Sequence, residues 1–180
     1  MAGSEAPAAL VIRDAVATDA PAIAAIWNPI IRDTAITFWP HERRPEEIAR
    51  IVADRQAAGW SFLVAEAEAG LLGFASFFQF RGGPGYARCM ELTIYLAPEA
   101  RGRGLGTILL TALEDRARAF GAGIILGAVT GSNAGSIAFH RRMGYAEMGR
   151  IPGAGWKFGQ FHDLVLMGKR LGDDSAAGAG

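Results

Sequence analysis

The chain has a single cysteine, Cys89, among its 180 residues. A disulfide within the chain is excluded, which suits a reducing compartment, and Cys89 reads as a small packed residue. Histidine is also scarce: His41, His140 and His162 lie far apart. With one cysteine they match no zinc spacing, so no metal site is expected. Neither sign of charge is in excess, since Lys+Arg and Asp+Glu are both 18 and the isoelectric point is near 6.8. A module held to nucleic acid by phosphate neutralisation is therefore not expected, nor one drawn to an anionic membrane. The longest apolar run, Leu71–Phe80, is far short of the ~20 residues that a membrane helix needs. The first ten residues lack a basic start and carry Glu5 where an apolar signal core would begin. No secretory leader is expected, and the cytoplasm is the expected compartment.

Apolar residues and glycine are plentiful, at 51% and 24 of 180. A chain of this size buries about two thirds of its unfolded surface, enough for one core without staples. One domain is expected over residues 10–171. Small polar ends at 1–9 and 172–180 are expected to be flexible.

The hydrophobic period switches repeatedly between these ends. Leu10–Val16 reads as a strand. Thr18 is placed to cap a helix whose stripe is Ile23, Ile26, Trp27 and Ile30. A second helix starts near Pro45 and buries Ile48, Ile51 and Val52. Ser61–Glu66, Leu71–Phe80 and Tyr86–Leu96 read as strands, the first two joined by a turn at Ala69-Gly70. Leu105–Ala119 is the clearest helix, with Leu105, Ile108, Leu109, Ala112 and Leu113 on one face and Glu114, Asp115, Arg116 and Arg118 largely elsewhere. A short strand at Ile124–Val129 and a helix at Ala134–Met143, stopped by Gly144, follow. Two strands around a Gly-rich turn complete the order βααβββαβαββ, a mixed α/β fold.

The sharpest local feature is Arg101-Gly102-Arg103-Gly104-Leu105-Gly106, between a strand and the strong helix. Glycines there allow tight turning and close approach of a ligand. Unpaired amides at a helix start favour negative charge, and two arginines add to it, so the loop suits a pyrophosphate. A solvated strand–helix turn is the plainer reading. Thr107 stands where a dinucleotide fingerprint needs glycine, and Ile108 follows it where a P-loop pattern fails.

Arg-x-x-Gly-x-Gly in this setting resembles the acyl-coenzyme A loop of the GNAT superfamily of N-acetyltransferases. Ser132–Tyr145 and the strand Glu91–Leu96 resemble that family's segments as well. Arg81, Tyr86 and Glu91, Thr93-Ile94-Tyr95 and Lys157–Met167 resemble the phosphinothricin and methionine sulfoximine acetyltransferases within it. The resemblance spans roughly residues 10–170. It implies a three-layer α/β fold, with a central, mixed but mostly antiparallel twisted sheet flanked by helices and splayed at the acyl-CoA site. It implies acetyl-CoA as co-substrate, direct attack by a small amine, and a homodimer. Backbone groups of Ile94, Tyr95 and Leu96 would hold the pantetheine. The amides of Arg101 to Gly106 would hold the pyrophosphate, and Asn133 and Ser136 would lie beside the coenzyme arm.

An amine must lose a proton before it attacks, and Glu91, among Met90, Leu92 and Ile94, is the candidate base. A rim carboxylate or ion-pair partner is the alternative. His140 stands where many superfamily members have tyrosine, a departure the phosphinothricin-like subgroup shares. It is read as an acid for the departing thiolate, a substrate contact or a structural histidine. Arg81, Tyr86 and Thr93 are expected around Glu91, with Arg81 pairing a substrate carboxylate. The Gly82–Gly85 loop lacks a further basic residue that the subgroup often carries. Phe38 and Trp39 are candidate walls of the acceptor pocket. Trp156 and Lys157 are placed in a late turn that approaches the site, from a second subunit on one reading. Other amine acceptors (a peptide N-terminus, an aminoglycoside, a polyamine) and a non-catalytic acyl-CoA-binding module are the competing functions.

Overall fold

The computed structural model describes residues 10–172. The flexible ends expected at 1–9 and beyond Gly172 lie outside the described residues. The elements follow the expected order: β1 (Val11–Asp14), α1 (Ala20–Asp33), α2 (Pro45–Ala57), β2 (Phe62–Ala67), β3 (Gly70–Gln79), β4 (Cys89–Leu96), α3 (Leu105–Phe120), β5 (Ile124–Thr130), α4 (Ala134–Arg142), β6 (Ala146–Lys157) and β7 (Gln160–Arg170). One seven-stranded sheet runs β1-β2-β3-β4-β5-β7-β6. Only β4 and β5 are parallel; every other neighbouring pair is antiparallel. Helices on both faces complete the three layers.

Alternation along the strands decides what each face holds. On one face Phe74 and Tyr95 meet Trp27 of α1, with the Trp27 and Phe74 ring centroids 5.1 Å apart, and Phe62 stacks on Phe74. On the other, Phe77 packs against Phe120 at the end of α3. Phe62, Phe74 and Phe77 are fully buried and anchor the core, each aromatic removing a large apolar area from water.

Three local readings change. Thr18 does not cap α1. Ala17–Asp19 forms a single 3-10 turn, because the Asp19 carboxylate takes the Val16 amide at 2.8 Å and the Arg13 guanidinium at 2.7 Å. The strand expected from Tyr86 starts at Cys89, since Pro84–Tyr86 closes a 3-10 turn where proline fixes φ and offers no ladder donor. On α3, Ile108 is exposed while Leu110 and Glu114 are buried. Glu114 tolerates burial because Lys169 Nζ donates to it at 2.7 Å and Arg118 at 3.3 Å, leaving a paired charge in the interior.

The feature that positions the site is a parting of strands. The β4–β5 ladder runs from Cys89↔Ile124 only to Leu92↔Gly127. Beyond it β4 stays paired with β3 through Leu96↔Gly73, and β5 with β7 through Thr130↔Leu164. Each strand is held on its outer edge while the inner edges diverge. Among the described residues, the inner edge of β4 from Thr93 to Leu96 therefore has no strand partner.

Candidate active site

The parted strands open into a cleft of about 1400 Å³ that passes from one side of the sheet to the other. Its α3/α4 side is built from main chain. Gly102 and Gly104 take φ of +74° and +79°, a left-handed conformation that a Cβ makes costly. The turn delivers the chain into α3 with its first amides facing out. Among the described residues, no oxygen accepts from the amides of Gly102, Arg103, Gly104, Leu105 or Gly106; the first helical bonds run from Thr107 and Ile108 to Gly104 O. The positive end of the helix dipole and two exposed arginines reinforce the site for an anion. Arg101, Gly102, Gly104 and Gly106 line the cleft. Arg103 is exposed beside it, and the Leu105 side chain is buried in the core, so Leu105 offers only its amide. Gly106 gives α3 and α4 a close approach: a Cβ would lie 3.3 Å from the Phe139 ring on α4, a tight contact.

Ile94, Tyr95, Leu96, Asn133 and Ser136 also line the cleft. Asn133 Oδ1 accepts from Ser136 N at 3.1 Å and so caps α4, which leaves its side-chain NH₂ for a ligand. His140 is 2% exposed and packs against Gly127, where a Cβ would lie 2.8 Å from Nε2. His140 Nδ1 is 2.8 Å from Ser136 O. A carbonyl can only accept, so Nδ1 carries the proton and the neutral ring presents a lone pair at Nε2. Burial lowers the pKa of His140, which keeps the ring neutral at pH 7. In this form it accepts a proton before it can donate one.

The α1/α2 side is built from side chains. Glu91, Thr93 and Tyr95 project from β4 opposite Phe78, Ser76 and Phe74 of β3. Burial raises the Glu91 pKa above the usual carboxylate range, while the nearby positive charge of Arg55 opposes the shift. Arg55, from α2, donates to Ser76 Oγ and rests on the Phe78 ring at 4.6 Å. Burial, with Arg43 adding to it, lowers the Arg55 pKa to about 10. Segment 34–44 roofs this side with Thr37, Phe38, Trp39 and Arg43. Phe38 fits a notch at Gly155, where a Cβ would fall 2.3 Å from the ring, and it stacks on His162.

The structure thus gathers Phe38, Glu91 and Thr93 in one cleft with the coenzyme-loop residues. It does not gather Arg81 and Tyr86. Both are exposed on the loop after β3, outside the cleft lining, with Arg81 over the Tyr86 ring at 5.8 Å. Lys157 is not a site residue: its buried Nζ donates to Ile31 O at 2.6 Å and Thr37 O at 2.7 Å, bracing the roof. Trp156 points outward, 57% exposed. Sequence reasoning missed Trp27, Arg43 and Arg55. Arg55 carried a signal, since it stands three, four and seven residues after Val52, Ile51 and Ile48, a charge in the buried stripe of α2.

Among the described residues there is no cluster of three or more metal-ligating side chains, and no helix is long and apolar enough to cross a membrane. Comparison with known proteins agrees with the geometry. The model of the Acetyltransferase (GNAT) family matches residues 25–145, over half of the chain. An L-methionine sulfoximine/L-methionine sulfone acetyltransferase of Pseudomonas aeruginosa is 39% identical over 160 residues, covering 87% of this chain and 91% of that protein. A phosphinothricin N-acetyltransferase of Streptomyces coelicolor is 31% identical, covering 86% and 92%. The crystal structure of a GNAT superfamily phosphinothricin acetyltransferase from Sinorhizobium meliloti, in complex with acetyl-CoA, superposes with a TM-score of 0.87 at 32% identity, covering 93% of this chain and 91% of that one. With unpaired amides at a glycine turn, a parted pair of parallel strands and a half-buried carboxylate converging on one cleft, the chain belongs to the GNAT family of acetyltransferases.

Proposed function

We propose that this acetyl-CoA-dependent N-acetyltransferase acetylates the α-amino group of a small amino acid or analogue, of the methionine sulfoximine, methionine sulfone or phosphinothricin type. The observation that carries the reading is the half-buried Glu91 in the same cleft as the unpaired amides at Gly102–Gly106. Those amides and Arg101 suit the pyrophosphate of acetyl-CoA, and the free edge of β4 at Ile94 and Leu96 suits its pantetheine. Glu91 takes a proton from the substrate ammonium, directly or through water. The free amine then attacks the thioester carbon, a carbon–nitrogen bond forms, and the carbon–sulfur bond breaks. His140 Nε2 accepts the second proton shed by nitrogen and passes it to the leaving sulfur.

The chain acts in this reading as a cytoplasmic homodimer. Trp156, Phe158 and Phe161, on and between β6 and β7, are 57%, 59% and 71% exposed, an aromatic patch that supports self-association. The deciding experiment is thiol release from acetyl-CoA across methionine sulfoximine, methionine sulfone, phosphinothricin and ordinary amino acids. Saturable turnover on at least one is expected. Turnover only on a peptide, an aminoglycoside or a polyamine would overturn the acceptor class, and coenzyme binding without thiol release would overturn catalysis. Sedimentation of the wild type against Phe161→Asp tests the dimer, which the aspartate is expected to dissociate.

A further inference from the structure

The acceptor side of the cleft holds two guanidinium groups with different commitments. Arg55 donates to Ser76 Oγ and its charge faces Glu91. Arg43 has no such engagement. Its backbone is fixed by reciprocal 2.9 Å bonds with the Asn28 side chain. Its guanidinium lies against two indoles, 4.7 Å from the Trp27 ring centre and 4.3 Å from that of Trp39. These contacts hold the planar group in place and leave its donors unused. Arg43 Nε is buried with no hydrogen-bond partner, and no oxygen among the described residues accepts from the rest of the group. Glu47, the acid whose charge it feels, is taken up by Arg44. Beside it Trp27 Nε1 is buried, in a side chain only 6% exposed, with the Tyr95 hydroxyl as its polar neighbour but no acceptor in full hydrogen-bond geometry. Both residues line the cleft.

Buried donors without acceptors are costly, and a guanidinium edge matches the two oxygens of a carboxylate. We propose that Arg43, aided by Trp27 Nε1, binds a carboxylate of the acceptor and makes the enzyme selective for amino acids over simple amines. The inference rests on the amino-acid reading above. It moves the carboxylate contact from Arg81, which the structure leaves on an exposed loop, to the roof of the cleft. The placement fits the acceptor. Trp27 packs on Tyr95, which lies two residues, about 7 Å of strand, beyond Thr93 where β4 and β5 part. Glu91, Thr93 and Arg43 line the same cleft, so an acceptor with its amine toward Glu91 would turn its carboxylate toward the roof.

The test compares each turned-over amino acid with its carboxamide in the wild type, Arg43→Met, Arg43→Lys and Arg81→Ala. The wild type is expected to prefer the acid. Arg43→Met is expected to reduce kcat/KM for the acid by about tenfold to a hundredfold, mostly through KM, with the amide and the KM for acetyl-CoA little changed. Arg43→Lys, which keeps charge but not the planar fork, is expected to retain part of the preference, and it serves if Arg43→Met folds poorly. Equal losses on acid and amide, or no loss on either, would overturn the inference and leave Arg43 a structural plug. Loss of the preference in Arg81→Ala alone would also overturn it. Wild-type turnover of neither acids nor amides would instead sink the acceptor class, and the inference with it.

Discussion

The two sides of the cleft are made of different material. The coenzyme side presents main-chain amides, ordered by glycines at Gly102, Gly104 and Gly106 and by the start of α3. The acceptor side presents side chains that arrive from α1, α2, β3, β4 and the 34–44 segment. Backbone donors are the same whatever residue bears them, so a main-chain cradle is suited to an invariant ligand. A side-chain wall can be exchanged residue by residue, and it is suited to choosing among acceptors.

Substitutions should therefore separate the two sides. The largest effect is expected from Glu91→Gln, which removes the base without changing shape: kcat should fall about 10²- to 10⁴-fold with acetyl-CoA affinity unchanged, read by single-turnover kinetics and coenzyme titration. If the coenzyme Kd moved as far as kcat, the division would fail. Gly104→Val is expected next. A β-branched residue at φ +79° strains the turn, so the KM for acetyl-CoA should rise roughly tenfold while the acceptor KM stays put. Arg55→Met sharpens the comparison through pH. Wild-type kcat/KM should rise with pH as Glu91 deprotonates, above the ordinary carboxylate range. Removing the Arg55 charge, which favours the carboxylate, should move that limb to higher pH. A shift to lower pH, or none, would remove Arg55 from the electrostatics of Glu91. The smallest effect is expected from Gly155→Ala. The new methyl displaces Phe38, lowering stability by about 1–3 kcal/mol and raising the acceptor KM a few-fold, with the coenzyme terms unmoved.

The same contrast explains what could be read in advance. The loop at Arg101–Gly106 is contiguous, and its glycines and helix start speak through the backbone, so sequence alone places it. Glu91, Thr93 and Tyr95 are legible because strand alternation puts every second residue on one face. Arg43 and Arg55 are 12 positions apart, on a loop and a helix, and only tertiary packing brings them into the cleft that holds Glu91. Arg81 and Tyr86 flank three glycines and a proline at 82–85, exposed and outside the cleft lining, a placement that no alternation pattern specifies. His140 lines the cleft, but its protonation depends on burial and on the Ser136 carbonyl, neither of which has a pattern in the sequence.

The 34–44 segment has little regular structure, yet it is fastened at several points. Thr130 Oγ1 donates to Ala35 O, Lys157 Nζ to Thr37 O, and the Asn28 side chain brackets Arg43. Eleven consecutive residues thus form a detachable cassette, secured to strands and a helix that take no part in gripping the carrier. Substitutions confined to that cassette would reshape one wall of the acceptor side while leaving the delivery of the activated acyl group as it was.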